Sequence, residues 1–253
     1  MFSERVWSKR GQQPEISEWH SMYHRAALME LMDEPCSYEE LRGCLRDLGK
    51  VGHVTGVHSI ILRWLVRVVK NSAMPLHVLD VGCGGGHLLR HIEQWSRRNN
   101  IALTLTGIDL NQNAICAARE FTPSQSGIRW TVGDAESFSA DEPVDIIVSS
   151  YLAHHLDDAK LIRFLSWMEH IARRGWMIHD LYRSHVAVTG FRAMAWAAGW
   201  HRFIRVDGVT SIRRAFIPAE WQHYIRQAGI TSSLVRIVPE WPVRICVMRE
   251  KEP

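Results

Sequence analysis

The alternation of apolar and polar positions changes character near Pro75. Before it the rhythm is helical. Ile16, Trp19, Tyr23, Ala27 and Leu31 recur at spacings of three or four, an amphipathic stripe that predicts a helix over 16–32. Ser37, with Glu40 three residues on, has the form of a capping box and opens a second helix reaching Leu48. Gly49, Gly52 and Gly56 are expected to punctuate the chain, and 57–70 predicts a third helix before 71–75 closes the region. Residues 1–74 are thus expected to form an N-terminal helical lid, and 75–253 the main domain.

From Leu76 the rhythm becomes strand, turn, helix, repeated. Short apolar runs at 76–81, 103–108, 128–132, 145–149 and 176–179 read as strands, with helical segments at 87–98, 113–120 and 159–173. Such alternation predicts an α/β, doubly wound, mostly parallel sheet covered on both faces. Strict alternation then stops. A helix rich in Ala and aromatics over 185–200 sits in an insert spanning about 183–217, and a further helix runs over 218–228 to Gly229. Segments 232–238 and 243–249 form a final strand pair, the last one antiparallel, which completes a seven-stranded sheet.

Composition narrows the class. The chain has 253 residues, enough for one large domain with an appended helical piece, and 11 Trp give it a heavy apolar load. A net charge of +3, from 30 Lys and Arg against 27 Asp and Glu, does not announce nucleic acid as a partner. The five Cys form no CxxC pair and leave an odd count, which argues for a reducing, cytoplasmic setting. Residues 1–11 lack the apolar core of a signal peptide. The apolar runs 60–69 and 186–200 are broken by Arg63, Arg67 and Arg192. Both fall short of the roughly 20 apolar residues a spanning helix needs, so no membrane span is expected.

The sharpest motif is VLDVGCGGGH at 78–87, which follows a buried-type strand and opens a helix. Glycines there let the backbone turn tightly and let a ligand approach without Cβ clashes. Gly107-Ile108-Asp109 ends the next strand with an acid 23 residues past Gly86, where a carboxylate can accept from ribose hydroxyls. Gly133-Asp134-Ala135 ends the third strand, and 145–150 marks the fourth. These strand ends face one crevice of a doubly wound sheet.

In order and spacing, DVGCGGGHLL, GIDLN, GDAES and VDIIVSSYLAHHL resemble the motifs of class I S-adenosylmethionine-dependent methyltransferases, over about 76–180. The resemblance implies a Rossmann-like methyltransferase fold and S-adenosylmethionine as cofactor, with S-adenosylhomocysteine as product. It implies that Asp80 and the backbones of Gly82, Cys83, Gly84 and Gly86 hold the methionine part and its amino group. Asp109 would bind the ribose diol and Leu110 lie against the adenine face. Asp134 would accept from the adenine amino group with Ala135 beside it, and Ser149 would line the methionyl end. The Cys83 side chain reads as a small apolar filler.

Methyl transfer to a phenol, with a pKa near ~10, benefits from a general base, and His is the side chain matched to neutral pH. His154 and His155 stand at the functional edge of the sheet; only one of two adjacent rings is expected to face the acceptor, while the other packs or caps. No third ligand is obviously spaced for a metal, so none is expected. His179 and Asp180 end the fifth strand, and Asp180 is placed to orient a His. Acceptor contacts are assigned to Tyr151, His179, Arg183 and Arg213, to Phe191 in the insert, and to Trp19 and Tyr23 on the N-terminal side, with Trp64 in the same lid. The runs SSYLAHHL, HDLYRS and GVTSIRRAFIPAEW are similar to ubiquinone/menaquinone-type and polyketide-associated enzymes. That similarity implies a small phenolic, quinonoid or polyketide-derived acceptor, methylated on oxygen or carbon, and the aromatic N-terminal helices suggest a homodimer.

Overall fold

The computed structural model describes residues 22–28, 30, 36–54, 56–70, 74–138, 143–197, 202–240 and 243–251. Its centre is a seven-stranded sheet in the order β3-β2-β1-β4-β5-β7-β6. The strands are β1 (Leu76–Val81), β2 (Leu103–Asp109), β3 (Arg129–Val132), β4 (Ile146–Ser150), β5 (Gly175–Leu181), β6 (Val235–Glu240) and β7 (Arg244–Glu250). Strands β1 to β5 pair in parallel, and β7 runs antiparallel between β5 and β6. The order reverses direction at β1, so the crevice beyond the tips of β1 and β4 is the topological switch point.

Both faces are covered, which is why β1 is buried at every position instead of alternating. On one face Ile61, Trp64 and Leu65 of α2 (Val57–Val69) and Leu88, Leu89 and Ile92 of α3 (His87–Arg98) pack over Val78, Ile146 and Met177. On the other, Leu161 and Leu165 of α5 (Asp158–Ile171) and Trp221 and Ile225 of α8 (Pro218–Gln227) cover Leu79, Ile147, Ile178 and Val247. Helix α4 (Gln112–Phe121) lies against β2 and β3, and α1 (Tyr38–Val54) against α4. Helices α6 (His185–Ala197) and α7 (Arg202–Arg214) pack on each other within the insert; the strand-and-helix pattern had marked only the first. Among the described residues no helix is long and apolar enough to cross a membrane.

Several expectations change on the N-terminal side. The capping box forms, Ser37 N–H donating to Glu40 Oε2 at 3.0 Å and Glu40 N–H to Ser37 Oγ at 3.3 Å. Gly49 and Gly52 lie inside α1 instead of ending it. A Cβ at Gly49 would stand 1.9 Å from the His87 ring, so that glycine serves a close helix contact. The predicted helix over 16–32 falls mostly outside the described residues, but 22–28 are not helical. There Ala26 N–H donates to Arg213 O of α7, so this segment satisfies its backbone against another element. Trp64 is sealed in the sheet core at 1% exposure and does not face the crevice.

Candidate active site

The cofactor end is made by three consecutive strand tips. Gly82, Gly84 and Gly86 all adopt left-handed φ values of 70°, 50° and 72°, folding the loop over the end of β1. A Cβ on Gly86 would meet the Trp130 ring at 2.3 Å, so glycine is required there on both counts. Leu45 of α1 lies against Gly84 and Gly85, lid-like over the loop. Asp80 is 1% exposed and its Oδ1 has no hydrogen-bond partner. Burial, and then the nearby Asp109 charge, push its carboxyl well above the ordinary range.

Asp109 bridges the loop to the end of β2, accepting from Gly84 N–H and Asn111 N–H, each at 2.9 Å. Burial raises its pKa although both N–H groups oppose that. Each carboxylate oxygen keeps a lone pair for a further donor. Leu110 leaves its side chain 74% exposed at the rim. Asp134 is exposed and accepts from Glu136 N–H at 3.1 Å, capping the short 3-10 turn Ala135–Ser137, in which Ala135 is buried. A cavity of about 310 Å³, lined in part by Ile108, Val132, Gly133 and Asp134, adjoins these tips. Cys83 is buried and its thiol is pushed well up, first by burial, so it is inert filler. Ser149 is buried and donates through Oγ to Val81 O at 2.9 Å.

The acceptor end gathers residues from five parts of the chain. His154 is 2% exposed, and its Nδ1 lies 2.6 Å from Asp180 Oδ1 while its backbone N–H donates to Oδ2 at 2.9 Å. Its Nε2 lies 3.5 Å from Oε1 of the buried Glu30. Burial opposes charge on this ring, but Asp180 and then Glu30 hold its pKa up to about 9. Burial would raise Asp180, yet His154 and the backbone N–H groups of Leu181 and His154 keep it below the usual range. The His154 ring is held between two carboxylates, which favour its charged form. Both ring nitrogens face carboxylates, Nδ1 toward Asp180 and Nε2 toward Glu30. His155, partly exposed, stacks at 4.3 Å from His154, and its Nε2 lies 3.8 Å from Glu30 Oε2.

Two arginines hold this turn from outside. Arg25 donates to Leu156 O at 2.9 Å and His154 O at 3.3 Å, pairs with Asp158 at 3.0 Å and lies 3.8 Å over the Phe216 ring. Arg214 donates to His154 O and His155 O, both at 3.2 Å. Glu30 and Arg25 carry no motif that a sequence reading would single out; only the fold brings them here.

The other expected acceptor residues divide. Tyr151 takes φ 58° at the tip of β4, donates its N–H to His179 O, and sets its ring edge-on to His179 at 5.5 Å; burial raises its hydroxyl pKa. His179 is fully buried with neither ring nitrogen hydrogen-bonded, and burial, then the Arg244 charge, lower its pKa to about 3. Arg183 is excluded from acceptor binding. All five of its N–H donors are engaged, by Glu220 at 2.6 and 3.1 Å and by the carbonyls of Ala215, Met22 and Tyr23. Arg213 is buried in the insert at 4% exposure, and the Phe191 ring fills the space beside Gly208 of α7. Tyr23 is 87% exposed, and Trp19 lies outside the described residues.

Residues 78–175 match the family model described as a methyltransferase domain. Over 108 residues the chain is 29% identical to a ubiquinone biosynthesis O-methyltransferase of Thiobacillus denitrificans, covering 40% of this chain and 42% of that protein. Over 112 residues it is 34% identical to a malonyl-[acyl-carrier protein] O-methyltransferase of Pectobacterium atrosepticum, covering 42% and 40%. The chain thus spans about two fifths of the length of the curated relatives it matches. Its fold is that of the plantazolicin methyltransferase BamL, solved with a substrate analogue and S-adenosylhomocysteine, at TM-score 0.61 and 14% identity over 85% of this chain and 97% of that one. The citrinin polyketide synthase CMeT domain superimposes at TM-score 0.54 and 19% identity over 76% and 51%. The resemblance to class I methyltransferases therefore holds in both sequence and fold. The site fits their cofactor: Asp80 Oδ1 is a buried acceptor lacking a donor, beside a loop turned by three left-handed glycines.

Proposed function

We propose that the chain is an S-adenosylmethionine-dependent methyltransferase that methylates an oxygen of a small phenolic, quinonoid or polyketide-derived acceptor. The observation that carries the cofactor assignment is the orphaned Asp80 carboxylate beside three left-handed glycines. A buried acceptor without a donor costs about 1–3 kcal/mol, which an ammonium group would relieve. S-adenosylmethionine, when bound, supplies a methyl group already activated on a sulfonium. The chain's own task is then to bind, align and exclude water. Asp80 takes the amino group, Asp109 the ribose hydroxyls, Leu110 one face of the adenine and Asp134 its amino group.

The acceptor belongs at the tips of β4 and β5, beside Tyr151 and the turn Ala153–His155. An acceptor oxygen held there would take the methyl group that S-adenosylmethionine supplies, and its proton would pass to solvent water. His154, clamped by Asp180 through its ring and its backbone N–H, fixes the shape of this edge. The O-methyltransferase names of the two curated relatives favour oxygen as the acceptor atom.

The test is to incubate the protein with isotopically labelled S-adenosylmethionine and a panel of phenols, quinols, alkylresorcinols and small acids, reading products by mass spectrometry. An ether or ester methyl supports the reading. A methyl on ring carbon replaces it with carbon transfer, and no product despite cofactor binding overturns the acceptor class.

A further inference from the structure

We propose that Glu30, His154 and His155 form a binding site for a divalent transition-metal ion of the zinc class, with Asp180 orienting the His154 ring. The ligand atoms, one from each residue, lie within 4.8 Å of one another. Nε2 of His154 stands 3.5 Å from Glu30 Oε1, and Nε2 of His155 3.8 Å from Glu30 Oε2. Nitrogen–oxygen hydrogen bonds end near ~3.2 Å, so these contacts are long for a shared proton. They suit two ligands of one tetrahedral ion, since bonds of about 2.1 Å set neighbouring ligand atoms roughly 3.4 Å apart. Glu30 Oε1, in a residue only 2% exposed, accordingly makes no hydrogen bond.

The hydrogen bond on the far side of the ring points the same way. Asp180, 2.6 Å from Nδ1, turns Nε2 toward the Glu30 carboxylate. A positive charge belongs between these two atoms, and their 3.5 Å spacing, long for a shared proton, suits a metal ion on a deprotonated Nε2. A carboxylate behind a ligating imidazole is also the usual outer shell of a zinc site. Two imidazoles and one carboxylate match the donor set of open zinc sites, leaving a fourth position for water or an acceptor oxygen. The ion would share Glu30 with the Arg214 guanidinium, 3.6 Å from Oε1. The partly exposed His155 gives it a route from solvent. Binding releases to solvent any proton the rings carry. The ion would tie residue 30 to the turn at the acceptor edge, and the inference does not depend on which acceptor is methylated.

The test uses tag-free full-length protein, stripped with chelator and titrated with zinc chloride by calorimetry, then with cobalt(II) by absorption. One equivalent of zinc and the visible bands of four-coordinate cobalt are expected. Glu30→Gln and His155→Gln should each weaken zinc binding at least tenfold, and Asp180→Asn by about 10–100-fold. Circular dichroism verifies that each variant is folded, and His155→Gln, at a partly exposed position, keeps the test open if Glu30→Gln is not. No uptake by the wild type, or uptake unchanged in the His155→Gln variant, overturns the site. Neither result bears on cofactor binding, which is measured separately on the same protein.

Discussion

At the cofactor end of the crevice, Asp80, Asp109 and Asp134 come from three consecutive strand tips, each within a few residues of its own glycine turn. At the acceptor end, Glu30, Arg25, His154, Asp180 and Arg214 come from positions up to 189 residues apart and meet only because the sheet, the insert and the N-terminal segment converge. The first end is local: Asp80 has an orphan oxygen, and left-handed glycines turn the loop beside it. The second is long-range and tied by ion pairs among carboxylates, imidazoles and guanidinium groups, although Glu30 Oε1 and both His179 ring nitrogens make no hydrogen bond. A site awaiting a ligand of fixed chemistry can be written in short motifs. An edge that must hold its own shape is assembled from the whole chain.

Substitutions at the two ends should therefore fail differently. The largest effect is expected from Asp109→Ala, which removes the acceptor for ribose hydroxyls. S-adenosylmethionine affinity should fall by about 3 kcal/mol, or roughly 100-fold, while the variant loses the Gly84 and Asn111 N–H bonds and some thermal stability but stays folded, as read by calorimetry and thermal melting. Arg183→Met should do the converse. Leaving Glu220 and three carbonyls without their partner costs about 3 kcal/mol of folding stability by denaturant titration, discounted for Glu220's partial exposure, while cofactor affinity stays within a few-fold. If Arg183→Met instead abolishes cofactor binding and leaves stability intact, the division between the two ends is wrong.

Asp80→Asn sharpens the comparison, because it should help the free protein and harm the complex. The folded pKa of Asp80 is raised, so its contribution to stability is present in acid and lost as pH rises through that raised value. Asparagine should therefore stabilise the free chain at neutral pH by about 1–3 kcal/mol. Wild-type cofactor affinity should weaken as pH falls through the raised Asp80 pKa, and the Asp80→Asn variant should be weaker and flat over that range. The smallest effect is at Ser37→Ala, which removes the α1 cap and should cost about 1 kcal/mol, with α1's cover of the glycine loop transmitting little of it to cofactor affinity.

Most of the sheet was legible because buried parallel strands and amphipathic helices write distinct periods, and the expected strand β1 and helix α3 match the observed bounds. The residues expected to hold the cofactor fall at strand tips, as read from the sequence, for the same local reason. What escaped was set by tertiary contact. Gly49 reads as a helix stop until the His87 ring is seen against it. Segment 22–28 carries half an amphipathic stripe, yet it gives its backbone hydrogen bond to α7. Arg183 reads as an acceptor-binding guanidinium, and five hydrogen bonds to four residues claim it. His154 was visible as a functional imidazole, but its charge state depends on Asp180, 26 residues away, and on Glu30, which no spacing rule connects to it.

The most direct test is a calorimetric titration of S-adenosylmethionine into the wild-type protein and the Asp109→Ala variant at neutral pH. One saturable site in the wild type, weakened about 100-fold in the variant, is the result expected if the three strand tips hold the cofactor. No binding by the folded wild type, or equal affinity in both proteins, would contradict it.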